Sequence, residues 1–301
     1  MFFEKMRKGN AGARSENSAS QIPAGLIAGT IDSHGITRRY LVHLPPGHNN
    51  GALLPLILAF HGGTGTAEGM PRMCRLNPTA DLRGYIVVYP EGIHKHWQDG
   101  RIYREGSSVD DVAFIADLIA KLSREYPIDQ RRIYATGISA GGFFSQRLAC
   151  EMPDKIAAAA PVVATRVKNL TWSPRAPIPM MFVLGTNDPL VRWNGGVLKG
   201  TALVPAETCS ADETLRFWIN EDHCYSDPVI LRDVRPGDGT HLIAKSYKAN
   251  QGTEEVVFCK VEGGGHCWPG GPQYLPQSFV GKATAAPIND LLCDFFDRHH
   301  L

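Results

Sequence analysis

The segment that most restricts what this chain can become is Arg131-Arg132-Ile133-Tyr134-Ala135-Thr136-Gly137-Ile138-Ser139-Ala140-Gly141-Gly142-Phe143-Phe144. A short β-prone stretch runs into Gly-x-Ser-x-Gly, and a helix-like segment, Ala140 to Glu151, follows without a break. A strand that turns into a helix across a single residue needs small residues two positions either side, so that the strained turn closes and the serine Oγ stays exposed. The helix N-terminus behind the turn adds N–H donors and a dipole that favours developing negative charge. The segment therefore predicts a nucleophilic serine on a strand-to-helix turn. A five-residue match also arises by chance in tight turns, so the surrounding sequence has to support it.

That surrounding sequence alternates strand-like and helix-like segments. Tyr40, Val42 and Leu44 alternate with other residues ahead of Pro45-Pro46-Gly47, the pattern of an early antiparallel strand ending in a turn. Leu53 to Phe60, Tyr85 to Tyr89, Ile178 to Leu184 and Glu255 to Val261 are short apolar runs suited to strands buried on both faces. Asp110 or Asp111 is placed to cap a helix whose Val112, Ile115, Leu118, Ile119 and Leu122 share one stripe, with Pro127 just beyond its end. Glu213 to Asn220 and Ile288 to His299 also read as helical. This alternation predicts a mostly parallel sheet with helices on both faces. The Gly, Asn, Ser and Ala run of residues 1–21 reads as a flexible leader, and residues 22–301, with no repeat or linker, as one domain.

Composition removes several classes of function. Lys and Arg total 31 against 30 Asp and Glu, a net charge of +1, which disfavours a nucleic-acid partner. The longest apolar run, Leu53 to Phe60, is interrupted by Pro55 and falls far short of the ~18 residues of a membrane span. Residues 1–21 lack the 7–15-residue apolar centre of a secretory signal. Seven cysteines without a Cys-x-x-Cys pair disfavour zinc ribbons and thioredoxin-like chemistry. A disulfide stays open, with Cys209 and Cys224, or either with Cys259, as candidates. With no His-Glu-x-x-His cluster, neither a metal nor another cofactor is expected. Asn169-Leu170-Thr171 is a glycosylation sequon only in a host that secretes through a eukaryotic pathway.

Two further segments support the serine. Leu56 to Phe60 leads into His61-Gly62-Gly63-Thr64-Gly65, a glycine-rich loop of the kind that offers a backbone N–H to a carbonyl oxygen. The N–H of Ala140, the residue after the serine, supplies the second donor. A phosphate loop is the rival reading, but the residues after Gly65 fit neither nucleotide fingerprint. Activating a serine takes a base, and the base takes an acid, in the chain order Ser, Asp or Glu, His. Asp188 follows the run ending at Leu184, and His266 follows Val256 to Val261 inside Gly263-Gly264-Gly265-His266-Cys267-Trp268. All three sit where strands exit into loops, the edge at which open α/β sheets gather ligands. His61 is expected to shape its loop; His34, His43, His48, His94, His96, His223, His241, His299 and His300 are expected in turns or on the surface. Trp97, Tyr103, Trp193 and Trp268 lie in or near these loops, either to stack on a substrate or to pack the loops.

Ala59-Phe60-His61-Gly62-Gly63, Gly84 to Gly92, Trp97, Asp110 to Ile115, Gly137 to Gly142, Gly185-Thr186-Asn187-Asp188 and Gly263 to Gly271 together resemble the polyhydroxybutyrate depolymerase/feruloyl esterase group, related to carbohydrate esterase family 1. The resemblance runs from about Thr37 to Phe296. It implies an α/β-hydrolase fold, a Ser139–Asp188–His266 triad, and oxyanion donors on the main chain of Gly63 and Ala140. It implies a serine esterase working through an acyl-enzyme on feruloyl or acetyl esters of plant polysaccharide or on short hydroxyalkanoate esters. Polyester depolymerisation is the alternative; a serine peptidase and a non-catalytic carbohydrate-binding homologue are alternatives of other classes. The sequence departs from the family pattern at Val191-Arg192-Trp193-Asn194-Gly195-Gly196, where Arg192 and Trp193 are expected to border the substrate. Family members are commonly exported, whereas no signal is visible here, which leaves a removed signal or a cytoplasmic member. Oligomeric state is open.

Overall fold

The computed structural model describes residues 22–101, 109–170, 172–198, 206–253 and 255–301. The leader, Tyr103 and Thr171 of the sequon lie outside the described residues. β1 (Ile27–Ser33) and β2 (Ile36–His43) form a hairpin, followed by β3 (Leu54–Phe60), α1 (Met70–Cys74), α2 (Asn77–Arg83) and β4 (Ile86–Pro90). After α3 (Asp111–Glu125) come β5 (Ile128–Ile138), α4 (Ala140–Glu151), β6 (Ala158–Val162) and β7 (Met180–Gly185). A two-stranded excursion, β8 (Gly196–Val197) and β9 (Glu207–Thr208), precedes α5 (Ala211–Glu221). The chain ends with β10 (Val229–Val234), β11 (His241–Lys248), β12 (Glu255–Glu262), α6 (Gln277–Val280) and α7 (Asn289–Asp297).

Ten strands form one sheet in the order β1-β2-β4-β3-β5-β6-β7-β12-β11-β10. From β4 to β12 every pairing is parallel, and an antiparallel pair flanks each side. Alternate residues of one strand serve opposite cores: Leu56, Leu58 and Phe60 face α3, α4 and α5, while Ile57 and Ala59 face α1, α2 and α7. This follows from the period-2 geometry of a strand and explains why the central runs contain almost no polar residues. Asp110 caps α3, its carboxylate accepting from the Ala113 N–H at 3.0 Å. Asp111 is instead buried, paired with Arg38 at 2.7 Å and accepting from the Gln98 N–H.

Three expectations are corrected. None of the seven cysteines is in a disulfide, so the open pairings among Cys209, Cys224 and Cys259 do not form; Cys259 is buried inside β12. His43, His241 and His299 are buried rather than at the surface. Each has a carboxylate to bond a ring nitrogen: Asp81 at 2.7 Å, Asp233 at 2.5 Å with Glu262 at 3.1 Å, and Glu255 at 3.1 Å. Those bonds offset the loss of hydration that burial would otherwise cost. The third correction concerns two tryptophans and belongs with the site.

Candidate active site

Ser139 sits between the last residue of β5 and the first of α4, with φ 55° and ψ −115°. This backbone conformation is disfavoured for a residue with a Cβ and is held by its surroundings. The Ser139 N–H donates to Val162 O of β6 at 2.9 Å, and the Phe143 N–H to Ser139 O, so sheet and helix grip the turn from both ends. A Cβ at Gly141 would collide with the carbonyl oxygens of Phe60 and His61, and one at Gly137 would meet the Gly141 main chain at 2.6 Å. The two glycines of the motif are therefore required by close packing of β3, β5 and α4.

Asp188 and His266 are both buried and are joined by a 2.7 Å hydrogen bond from His266 Nδ1–H to Asp188 Oδ2. The other carboxylate oxygen accepts from the Leu190 and Val191 N–H groups at 2.8 and 2.9 Å. Both oxygens of Asp188 are thus assigned, which fixes the acid's orientation and leaves the His266 Nε2 side as the working face. The loops that carry them are laced together: the Asn187 N–H donates to Gly264 O at 2.9 Å, the Thr186 N–H to Val261 O at 3.0 Å, and the Gly263 N–H to Thr186 Oγ1 at 2.9 Å. Gly185 is where these loops cross, since a Cβ there would strike the Gly264 carbonyl oxygen. Among the described residues Ser139 Oγ has no hydrogen-bond partner, so the acid–base pair is closed and the serine–base contact is open. Such contacts commonly tighten only when substrate binds.

The glycine loop after β3 is held by side chains. Gly62 O can only accept and the Gly92 N–H can only donate, so His61 carries its proton on Nδ1, donating to Gly62 O at 2.8 Å and accepting from Gly92 on Nε2 at 3.0 Å. Burial pushes this imidazole down to about 4, in keeping with the neutral form that both bonds require. The Trp97 Nε1–H donates to His61 O at 3.0 Å. Its ring stacks on Phe144 at 5.0 Å and 6° and meets Phe60 edge-on at 5.2 Å. Neither the Gly63 nor the Ala140 N–H is taken up by an acceptor among the described residues. His61 shapes the loop as the sequence predicts.

Trp97 and Trp268 do not present their rings to a substrate. Trp97 is 1% exposed and Trp268 fully buried. The Trp268 Nε1–H is bonded to Asn289 Oδ1 at 2.9 Å, and Asn289 in turn donates to Cys74 O and Arg75 O. An indole with its N–H satisfied and its faces covered is a pillar under the loop. Trp193 is half-buried, its ring edge-on to Phe258 and beneath the Lys260 ammonium. Arg192 is exposed and donates to Val197 O at 3.3 Å.

Two residues of this region carry no sequence signal for their position. Tyr274 lies beside Asp188 and Cys267, and burial pushes both its phenol and the Cys267 thiol up, the thiol to about 12. Gln273 is exposed and forms three hydrogen bonds within the segment following His266. Among the described residues no three His, Cys, Asp or Glu side chains converge to hold a metal ion.

Residues 38–185 match the family model described as "Esterase PHB depolymerase". The chain is 32% identical over 264 residues to the protein named "Putative esterase NocK" of Nocardia uniformis subsp. tsuyamanensis, covering 82% of this chain and 75% of that protein. It is 28% identical over 236 residues to feruloyl esterase B of Piromyces equi, covering 76% of this chain but only 42% of that longer protein. Its fold is similar to that of the acetyl xylan esterase from Aspergillus awamori, with a TM-score of 0.58 at 15% identity over 90% of this chain and 99% of that one. The architecture is that of an α/β-hydrolase.

Proposed function

The chain belongs to the esterase PHB depolymerase family of α/β-hydrolases, and on that premise we propose that Ser139, His266 and Asp188 hydrolyse a carboxylic ester through an acyl-enzyme. Ser139 Oγ attacks the ester carbonyl while its proton passes to His266 Nε2. Asp188 holds the imidazole in the tautomer with a proton on Nδ1 and stabilises the imidazolium that forms. The oxyanion rests on the N–H groups of Gly63 and Ala140. His266 then gives its proton to the leaving alcohol, and a water activated by the same imidazole releases the acid and restores Ser139.

The observation that carries this reading is the buried 2.7 Å pair of Asp188 and His266, on loops at the same sheet edge as the strained serine turn. The preferred substrates are feruloyl or acetyl esters of plant polysaccharide and short hydroxyalkanoate esters, supported by the names of the relatives. Polyester depolymerisation is the second reading, favoured by the family's description. Arg192 and Trp193, on the loop after Asp188, are proposed to border the bound ester; the buried Trp97 and Trp268 are not proposed as substrate contacts. The ten-stranded sheet supports reading residues 22–301 as one hydrolase domain.

Hydrolysis of p-nitrophenyl acetate and butyrate by the wild type beside Ser139→Ala tests the chemistry. The wild type is expected to exceed the variant by about 10⁴–10⁶ in turnover. Equal, negligible rates for both would falsify the reading.

A further inference from the structure

The loop that carries His266 contains three consecutive glycines, Gly263-Gly264-Gly265, and glycine contributes the least intrinsic stiffness of any residue. A base that must reach a serine within a few tenths of an ångström therefore needs its backbone held from outside. The anchor is the end of α6 and the residues that follow it: the His266 N–H donates to Val280 O at 2.5 Å and the Gly265 N–H to Lys282 O at 2.8 Å. Gly281, between those two acceptors, has φ 72°, and a Cβ there would lie 2.7 Å from Gly265 Cα and 2.9 Å from Asn187 O. One short stretch, Val280-Gly281-Lys282, thus touches both the base loop and the acid loop.

That stretch is itself closed by one side chain. Gln273 Nε2 donates to Leu275 O at 2.7 Å and to Gly281 O at 2.9 Å, and Gln273 Oε1 accepts from the Ala283 N–H at 2.8 Å. Both N–H donors and the carbonyl oxygen of the amide are used, and two of the three bonds land on the residues directly flanking Lys282. On its far side the stretch is staked by the Lys282 ammonium on Asp238 O and by the Ala285 N–H on Asp238 Oδ2 at 2.7 Å.

We propose that Gln273 is a positioning residue for His266: its amide clamps Gly281 and Ala283 so that Val280 O and Lys282 O hold the base loop at the height where His266 Nε2 meets Ser139 Oγ. This rests on the acyl-enzyme reading above. Gln273 touches no reacting atom; it acts through the main chain of Val280 and Lys282. No other side-chain type reproduces the clamp, because aspartate and asparagine are too short and glutamate has no donors.

The test compares Gln273→Ala and Gln273→Glu with wild type and with Ser278→Ala, an exposed neighbour in the same segment. Both Gln273 variants are expected to lose about tenfold in kcat with KM within twofold, since small displacements of a catalytic group act on the chemical step. Gln273→Glu is expected to fall at least as far as the alanine, because it turns a carboxylate oxygen toward Leu275 O and Gly281 O. In proton NMR the downfield resonance of the Asp188–His266 hydrogen bond should broaden in both variants and stay sharp in Ser278→Ala. Wild-type kcat with a sharp resonance in both variants, a change in KM alone, or an equal loss in Ser278→Ala would overturn the proposal. A wild type that turns over no ester defeats the acyl-enzyme reading, while the resonance comparison still decides the role of Gln273.

Discussion

On one side of the site, Asp188 and His266 ride on loops joined main chain to main chain, through Asn187 to Gly264, Thr186 to Val261 and the tight crossing at Gly185. On the other, the Gly62–Gly65 loop is held by side chains: the two ring nitrogens of His61, the Trp97 indole and the Phe60–Trp97–Phe144 aromatic cluster. Each side rests on one buried tryptophan, Trp97 or Trp268, yet only the first bonds directly to the loop it supports. Main-chain lacing survives most substitutions, because every residue except proline carries the same donors and acceptors. Side-chain bracing can be removed one residue at a time. Gln273 apart, the acid–base side should therefore respond to mutation through its chemistry, and the oxyanion side through its geometry.

After loss of the serine itself, the largest effect expected is at Asp188. Asp188→Asn leaves the loop bonds of Oδ1 in place but favours the wrong tautomer of His266, and turnover should fall about 10⁴-fold with little change in folding. Full activity in this variant would remove Asp188 from the mechanism.

Next is His61, through pH. Its folded value of about 4 lies below its ordinary 6.5, so the fold favours the neutral ring. That stability is complete above about pH 6.5 and is lost as pH falls towards 4, amounting to about 3 kcal/mol. Urea unfolding at pH 7.5 and 4.5 should show a smaller pH-dependent loss in His61→Gln than in wild type. Identical losses would mean that the ring titrates alike in the folded and unfolded chain.

The smallest of the three is Trp97→Phe, which keeps an aromatic ring against Phe144 but leaves His61 O without its donor. A cost of about 1–2 kcal/mol in stability is expected, with a several-fold loss in kcat as the Gly63 N–H drifts. An unchanged kcat beside a lowered melting temperature would show that Trp97 supports the fold without aiming the loop.

The parallel centre of the sheet and the three proposed site residues leave local signatures: an apolar run, a serine between glycines two positions either side, an acid or a histidine just past a strand. The edge pair β10 and β11 leaves none. Val229, Ile230 and Leu231 are exposed at the sheet's margin, so burial imposes no alternation there, and the pairing shifts register between Ile230 and Arg232. Trp97 and Trp268 were placed in the right loops, but whether an indole faces out or in depends on Phe144 and Asn289, which are distant in sequence. His43, His241 and His299 look like surface histidines until the fold brings Asp81, Asp233 and Glu255 beside them. Gln273 shows nothing in sequence because its partners are main-chain atoms.

The backbone of Ser139, at φ 55° and ψ −115°, stands in a region where glycine is at ease and serine is not. Strain of this kind amounts to about 1–3 kcal/mol per residue. At that one position, selection for durability and selection for turnover pull in opposite directions: glycine would relax the turn and abolish the proposed nucleophile. A lineage of this chain under pressure only to survive heat would be expected to lose its chemistry first at residue 139, with the surrounding architecture intact.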